Sequence, residues 1–173
     1  YSLLNSIEDV WCERVFAPWM DMEEAMRREG IPLYALESLD PLQDFDIIGF
    51  TLQYELSFTN ILNMLDLAGI PVLCEERTEL KNLVVAGGPC ACNPEPLADF
   101  VDLFMLGEGE VVIVELVTLY RKAKEEKWSK TEFLKEANRL EGVYVPSLYE
   151  VSYYEDGRIR EIASVDNAKF PVK

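Results

Sequence analysis

Proton transfer at neutral pH most often uses histidine, and this chain has none. Asp99 and Asp102 flank one apolar run, and Glu110 and Glu115 sit on one helical stretch, but none of them has an imidazole to work with. Cys90 and Cys92 form a C-x-C pair, with Cys12 and Cys74 far away in sequence. That is not the spacing of a zinc site, and two small residues in a turn look the same. Neither a G-x-x-x-x-G-K-[ST] phosphate loop nor a G-x-G-x-x-G fingerprint occurs, since Gly107-x-Gly109 lacks its third glycine.

What remains are three unusual exits from apolar runs. The first is Thr51-Leu52-Gln53-Tyr54-Glu55. The second is Gly87-Gly88-Pro89, continuing through Cys90, Cys92 and Asn93 to Pro96. The third is Gly107-Glu108-Gly109-Glu110. Open α/β sheets bind ligands beyond the carboxyl ends of their strands, so these loops are the candidate site and should share one edge. Gly87 and Gly88 would let a ligand or a neighbouring backbone come close, and a plain tight turn uses the same pair. Glu110 on its own reads as an acidic first helical turn complementing the helix dipole.

The elements that must position these loops alternate between strand-like runs and helical patterns, the signature of an α/β parallel sheet with helices on both faces. The runs are Val10–Ala17, Pro32–Leu36, Asp46–Leu52, Leu83–Ala86 and Val101–Leu106. The last three are apolar nearly throughout, as strands buried on both faces are. Helices are expected over Asp21–Glu29 (cap Asp21, stop Gly30) and Ser57–Ala68 (cap Ser57, stop Gly69). In the second of these, Ile61, Leu62, Leu65 and Ala68 should face the sheet. A longer helix spans Glu110–Lys127, and the S-x-x-E pattern of Ser129 and Glu132 opens another over Ser129–Leu140. Beyond Glu141 the pattern turns to alternation, and Asp156-Gly157 predicts a β-hairpin over 148–164. Residues 165–173 read as a linker. The expected domains are 1–127, an α/β unit, and 128–173, a helix, hairpin and linker.

A chain of 173 residues, 49% hydrophobic and 28% charged, has room for one sizeable core. Sixteen Lys and Arg against thirty-two Asp and Glu give a net charge of −16, which argues against gripping a phosphate backbone directly. Even Val111 to Leu119 is interrupted by Glu115, so no run suits a membrane span. Without a signal-peptide pattern or a disulfide framework, the thiols read as reduced and the protein as cytoplasmic. Position 1 is Tyr, and the chain reads as part of a longer protein.

Taken together, Asp46-Ile-Ile-Gly-Phe-Thr51, Ala86-Gly-Gly-Pro89, Asn93-Pro-Glu-Pro96 and Gly107-Glu-Gly-Glu110 resemble the N-terminal cobalamin-binding-like domain of radical S-adenosylmethionine (radical SAM) proteins. The stretches Trp11–Pro18, Phe50–Glu55 and Gly142–Pro146 extend the likeness over most of the chain. The resemblance implies a flavodoxin-like, Rossmann-like sheet followed by a catalytic barrel. That barrel would bind S-adenosylmethionine and an iron–sulfur cluster on a C-x-x-x-C-x-x-C motif, which is not in this sequence. It also implies cobalamin held without a histidine ligand. Thr51, Gln53, Tyr54 and Glu55 would border its dimethylbenzimidazole tail, and Gly87, Gly88 and Pro89, with Asn93 beyond, would let the tail pass. Gly107, Glu108 and Gly109 would close the pocket.

Family members carry a strand before the segment matching Tyr1. In the order 2-1-3-4-5 that strand would lie between Val10–Ala17 and Asp46–Leu52, and a second copy of the chain is one expected filler of the gap. Three functions follow as expectations. The first is a ligand-binding or substrate-presenting domain that is not catalytic alone and has its own barrel as partner. The second is a cofactor-free docking module. The third, with no phosphate fingerprint behind it, is a free-standing nucleotide-binding regulator. The cysteine spacing predicts that the purified chain carries no iron–sulfur cluster. Stoichiometric iron and sulfide after anaerobic purification would contradict this.

Overall fold

The computed structural model describes residues 1–165 and Ala168; the rest of the expected 165–173 linker lies outside the described residues. Three apolar runs pair as their composition predicts. Strands β1 (Ile47–Thr51), β2 (Leu83–Gly87) and β3 (Leu103–Met105) are adjacent and parallel, with Ile47 opposite Leu83 and Val85 opposite Leu103. A short strand β4 (Val143–Tyr144) joins β3 antiparallel, giving the order β1-β2-β3-β4. Strands β5 (Tyr149–Tyr153) and β6 (Ile159–Ser164) form the expected hairpin. Its turn differs in detail: Gly157 alone takes a positive φ, of 82°, and Tyr154 N–H donates to Arg158 O at 2.9 Å across a three-residue loop.

Helices cover both faces of the sheet. On one face, Ile48, Leu52, Val84, Ala86 and Phe104 pack with Met26 of α1 (Met20–Glu29) and with Ile61 and Leu65 of α2 (Phe58–Leu67). On the other, Leu83, Val85, Leu103 and Val143 pack with Leu116 and Tyr120 of α3 (Gly109–Glu126) and with Phe133 and Leu134 of α4 (Lys130–Ala137). Leu65 and Leu116 are wholly buried, each stabilising by about 1.5–3 kcal/mol relative to exposure. The capping box at α4 forms in full: Glu132 N–H donates to Ser129 Oγ at 3.2 Å, and Ser129 N–H donates to Glu132 Oε2 at 2.8 Å. Helix α1 stops at Gly30, φ 66°, but starts one residue before Asp21, with Trp19 at the cap position. Among the described residues no helix is long and apolar enough to cross a membrane.

Two expected strands are absent. Residues 10–17 hold no regular structure, and Pro32–Leu36 contributes only an isolated bridge between Tyr34 and Pro41. The cause is pairing: β propensity makes a strand only against a partner, and neither run has one alongside it in the sheet.

The amino end of the sheet is fixed by one buried carboxylate. Asp102, just before β3, accepts the Val84 N–H at 2.8 Å on Oδ2, and its own N–H donates to Val84 O at 2.9 Å. The same Oδ2 accepts Arg77 Nη2 at 3.2 Å, and Oδ1 lies 2.7 Å from Lys130 Nζ. That second contact is an ion pair without the angle of a directed hydrogen bond. Arg77 also donates to the carbonyls of Pro71, Val72 and Phe100, and Lys130 to those of Cys74 and Arg77. All three charged residues are buried. Asp102→Ala would strand two buried cations, a loss of about 3–5 kcal/mol. Urea denaturation should show that loss, with Lys130→Met costing clearly less because Arg77 keeps its carboxylate.

Candidate functional site

Because β1, β2 and β3 are parallel, all three candidate loops leave the same edge of the sheet. The structure brings the first two into contact. Leu52 N–H donates to Gly87 O at 2.7 Å, and Cys90 N–H donates to Leu52 O at 3.0 Å, so the exits of β1 and β2 are laced together. The Glu55 carboxylate reaches the Cys90 thiol. Desolvation first, and that carboxylate second, hold the Cys90 thiol above its ordinary pKa, which keeps it protonated and a poor nucleophile. Cys92 Sγ donates to Pro89 O at 3.1 Å. Beside this loop, Tyr144 Oη donates to Glu95 Oε1 at 2.6 Å, and burial followed by that hydrogen bond raises the tyrosine pKa.

The Gly87-Gly88 pair is explained by its neighbours. Gly88 sits at φ 101°, ψ −177°, and a Cβ there would lie 3.0 Å from Leu52 O and 3.1 Å from Leu52 N. The glycine admits the backbone of the adjacent loop. Space expected for a dimethylbenzimidazole tail at Gly87, Gly88 and Pro89 is therefore taken by Leu52, and the described residues do not fit the tail at that turn. The third loop differs, for Gly107 and Gly109 would each direct a Cβ into open space.

Thr51, Gln53, Tyr54, Glu55, Gly88, Pro89, Asn93, Gly107 and Glu108 are all exposed, while Gly87 and Gly109 are half-buried. They line an edge, not a cavity, and the two best-formed grooves of the molecule lie elsewhere. Two residues that the sequence reading did not single out add to this edge: Leu56, 85% exposed, and Val111, 66% exposed. Val111 opens α3 beside the buried Val112, a position that helical phase marks as outward. With Tyr54 they form an apolar line along the carboxyl edge. Among the described residues no group of three His, Cys, Asp or Glu side chains could hold a metal ion. The edge therefore presents surface and holds no activated nucleophile.

Gly88→Ala combines backbone strain with a clash and should cost about 3 kcal/mol or more. Gly107→Ala meets nothing and should cost only the strain, about 1–2 kcal/mol. Equal losses in chemical denaturation would mean that the Leu52 contact is not what requires glycine.

Comparison with known proteins agrees with this architecture. A family model described as radical SAM proteins, N-terminal, matches residues 1–146. An uncharacterized protein of Methanocaldococcus jannaschii is 36% identical over 95 residues, which are 54% of this chain and 20% of that protein. The chain thus spans about one fifth of the length of that curated relative. No solved structure matches it. The family match runs from the first residue to just past β4, taking in the whole four-stranded sheet and all three exit loops, and the chain belongs to the radical SAM N-terminal family.

Proposed function

We propose that this chain is a docking domain that presents the carboxyl edge of its sheet to the catalytic part of the same polypeptide. In that reading the catalytic part binds S-adenosylmethionine and an iron–sulfur cluster, and this domain supplies position, not chemistry. One observation carries the reading: the apolar line of Tyr54, Leu56 and Val111 beside open glycines, on an edge with no pocket to receive a small molecule. Exposed apolar residues grouped on a flat surface mark contact with another protein surface. The wider acidity of the chain, −16 overall, keeps the rest of the surface solvated and disfavours other docking modes. Cobalamin is the competing occupant of the same edge, and the filled space at Gly88 disfavours it.

Amide exchange on the intact parent protein tests the docking reading. Residues 53–57 and 107–112 should be protected there, and Leu56→Asp with Val111→Asp should raise exchange at both loops and leave β2 unchanged. Free exchange of both loops in the parent protein would overturn the proposal. Hydroxocobalamin titration should give neither a spectral change nor retention on gel filtration. Stoichiometric retention would hand the edge to the cofactor.

A further inference from the structure

The opposite flank of β1 carries a second, independent feature. The hydrogen bonds that begin and end the pairing of β1 with β2, Leu83 N–H to Asp46 O and Leu52 N–H to Gly87 O, set the phase of the ladder. Ile48 and Phe50 turn their N–H and C=O groups toward β2. Ile47, Gly49 and Thr51 turn theirs away, toward a side where β1 has no neighbour among the described strands. Gly49 and Thr51 are exposed, although the strand reads as a fully buried type. No Lys, Pro or bulge protects this edge, as an open edge requires.

Residues 11–15 show the same alternation. Cys12 is bonded through both N–H and C=O to the Asn5 side chain. Arg14 N–H donates to Glu37 Oε2, and Arg14 O accepts the Leu36 N–H. The N–H and C=O groups of Trp11 and Glu13, in between, have no partner among the described residues. Trp11 and Glu13 line an open groove of about 450 Å3 together with Asp44 and Phe45, the residues leading into β1. Two segments with alternate unsatisfied backbone groups thus flank one groove, which is what a sheet with one strand withdrawn looks like. Trp11 is 82% exposed at its rim.

We infer that this groove is a slot for one additional parallel strand, and that the strand belongs to the same polypeptide, N-terminal to Tyr1. Handedness selects the source. From β1 to β2 and from β2 to β3 the connections run over the α2 face, as Ala91, Leu97 and Val101 packing with Ile61 and Leu65 shows. Parallel crossovers are right-handed, so travel in that direction across the sheet uses that face, and travel in the reverse direction uses the α3 face. Helix α1, which connects residues 10–17 to β1, packs on the α2 face through Met26, as forward travel requires. The segment entering residues 10–17 lies on the α3 face: Arg121 of α3 donates to Glu8 O at 3.1 Å and pairs with Asp9 at 3.8 Å. Entry over that face is reverse travel, out of a strand lying between residues 10–17 and β1. An interior position in a parallel sheet is covered on both faces, which suits a strand that folds with its neighbours better than an exchangeable partner.

The test uses the parent protein with a protease site placed just before Tyr1. After native cleavage the upstream piece should stay bound, in a 1:1 complex by native mass spectrometry. By NMR, amides of Ile47, Gly49 and Thr51 should exchange within about tenfold of those of Ile48 and Phe50, which β2 protects in either case. Gly49→Pro removes an outward N–H without touching the β2 ladder and should release the piece. Release from the unsubstituted protein, or odd-numbered amides exchanging a hundredfold faster than even-numbered ones, would overturn the slot. Protection that appears only as the protein dimerises would overturn the assignment in favour of a second copy.

Discussion

One carboxylate serving two buried cations is the constraint on which the remaining geometry rests. Asp102 takes the place of a strand residue at the head of β3, where its side chain satisfies Val84 and its backbone completes the exchange. Arg77 and Lys130 bring one more positive charge than Asp102 neutralises, and five carbonyl oxygens absorb the excess. Each of those carbonyls belongs to the 71–77 loop or to Phe100, so the network fixes the register of β2 against β3 and the docking of α4 in one step. Buried ion pairs add little net stability compared with apolar packing, but removing one partner is severe. That asymmetry makes the amino end of the sheet all-or-none.

The carboxyl end has the opposite character. Its loops are joined by backbone bonds between Leu52, Gly87 and Cys90, and its side chains are left to solvent. A chain without histidine, with its Cys90 thiol held protonated, has little reactive chemistry of its own to offer there. Function must then lie in what the edge touches. Helix α3 links the two ends, starting at Gly109 on the open edge and reaching Asp46 at the amino end. There Tyr120 Oη donates to Asp46 Oδ1 at 3.2 Å and Lys124 Nζ at 3.0 Å. A load applied at Val111 is therefore carried along a helix anchored at its far end.

The parallel strands were legible because burial on both faces leaves an almost uninterrupted apolar run, as in Leu83–Ala86. The helix boundaries were legible where a local bond decides them, as with Ser129 and Glu132. Val10–Ala17 and Pro32–Leu36 were misread as strands because apolar composition records the capacity to pair, and pairing depends on a neighbour that composition does not contain. Gly87-Gly88 read as an opening for a ligand or a backbone, and only the position of Leu52 decides for the backbone. Arg77 and Lys130 gave no signal at all, since charged residues in loops and first helical turns read as solvated. Asp102 was visible as a carboxylate beside a strand, but its role depends on cations 25 and 28 positions away in the chain.

The two open features of the molecule meet at β1. In an open α/β sheet the ligand crevice forms where the direction of travel reverses, between two neighbouring strands whose connections run over opposite faces. Among the described strands no such reversal occurs: β1, β2 and β3 follow one another in a single direction, and the connections between them use one face. The lacing of Leu52 to Gly87 and Cys90 is the expected consequence, because adjacent strands that do not part their loops leave no crevice between them. A strand in the slot beside β1 would create the reversal, since it would be left over the α3 face while β1 is left over the α2 face. The crevice would then open one position away from the glycine turn, between that strand's own exit and Thr51, Gln53 and Tyr54. The polarity of the β1 exit and the closure of the β2 exit thus have a single topological origin, the position of the reversal.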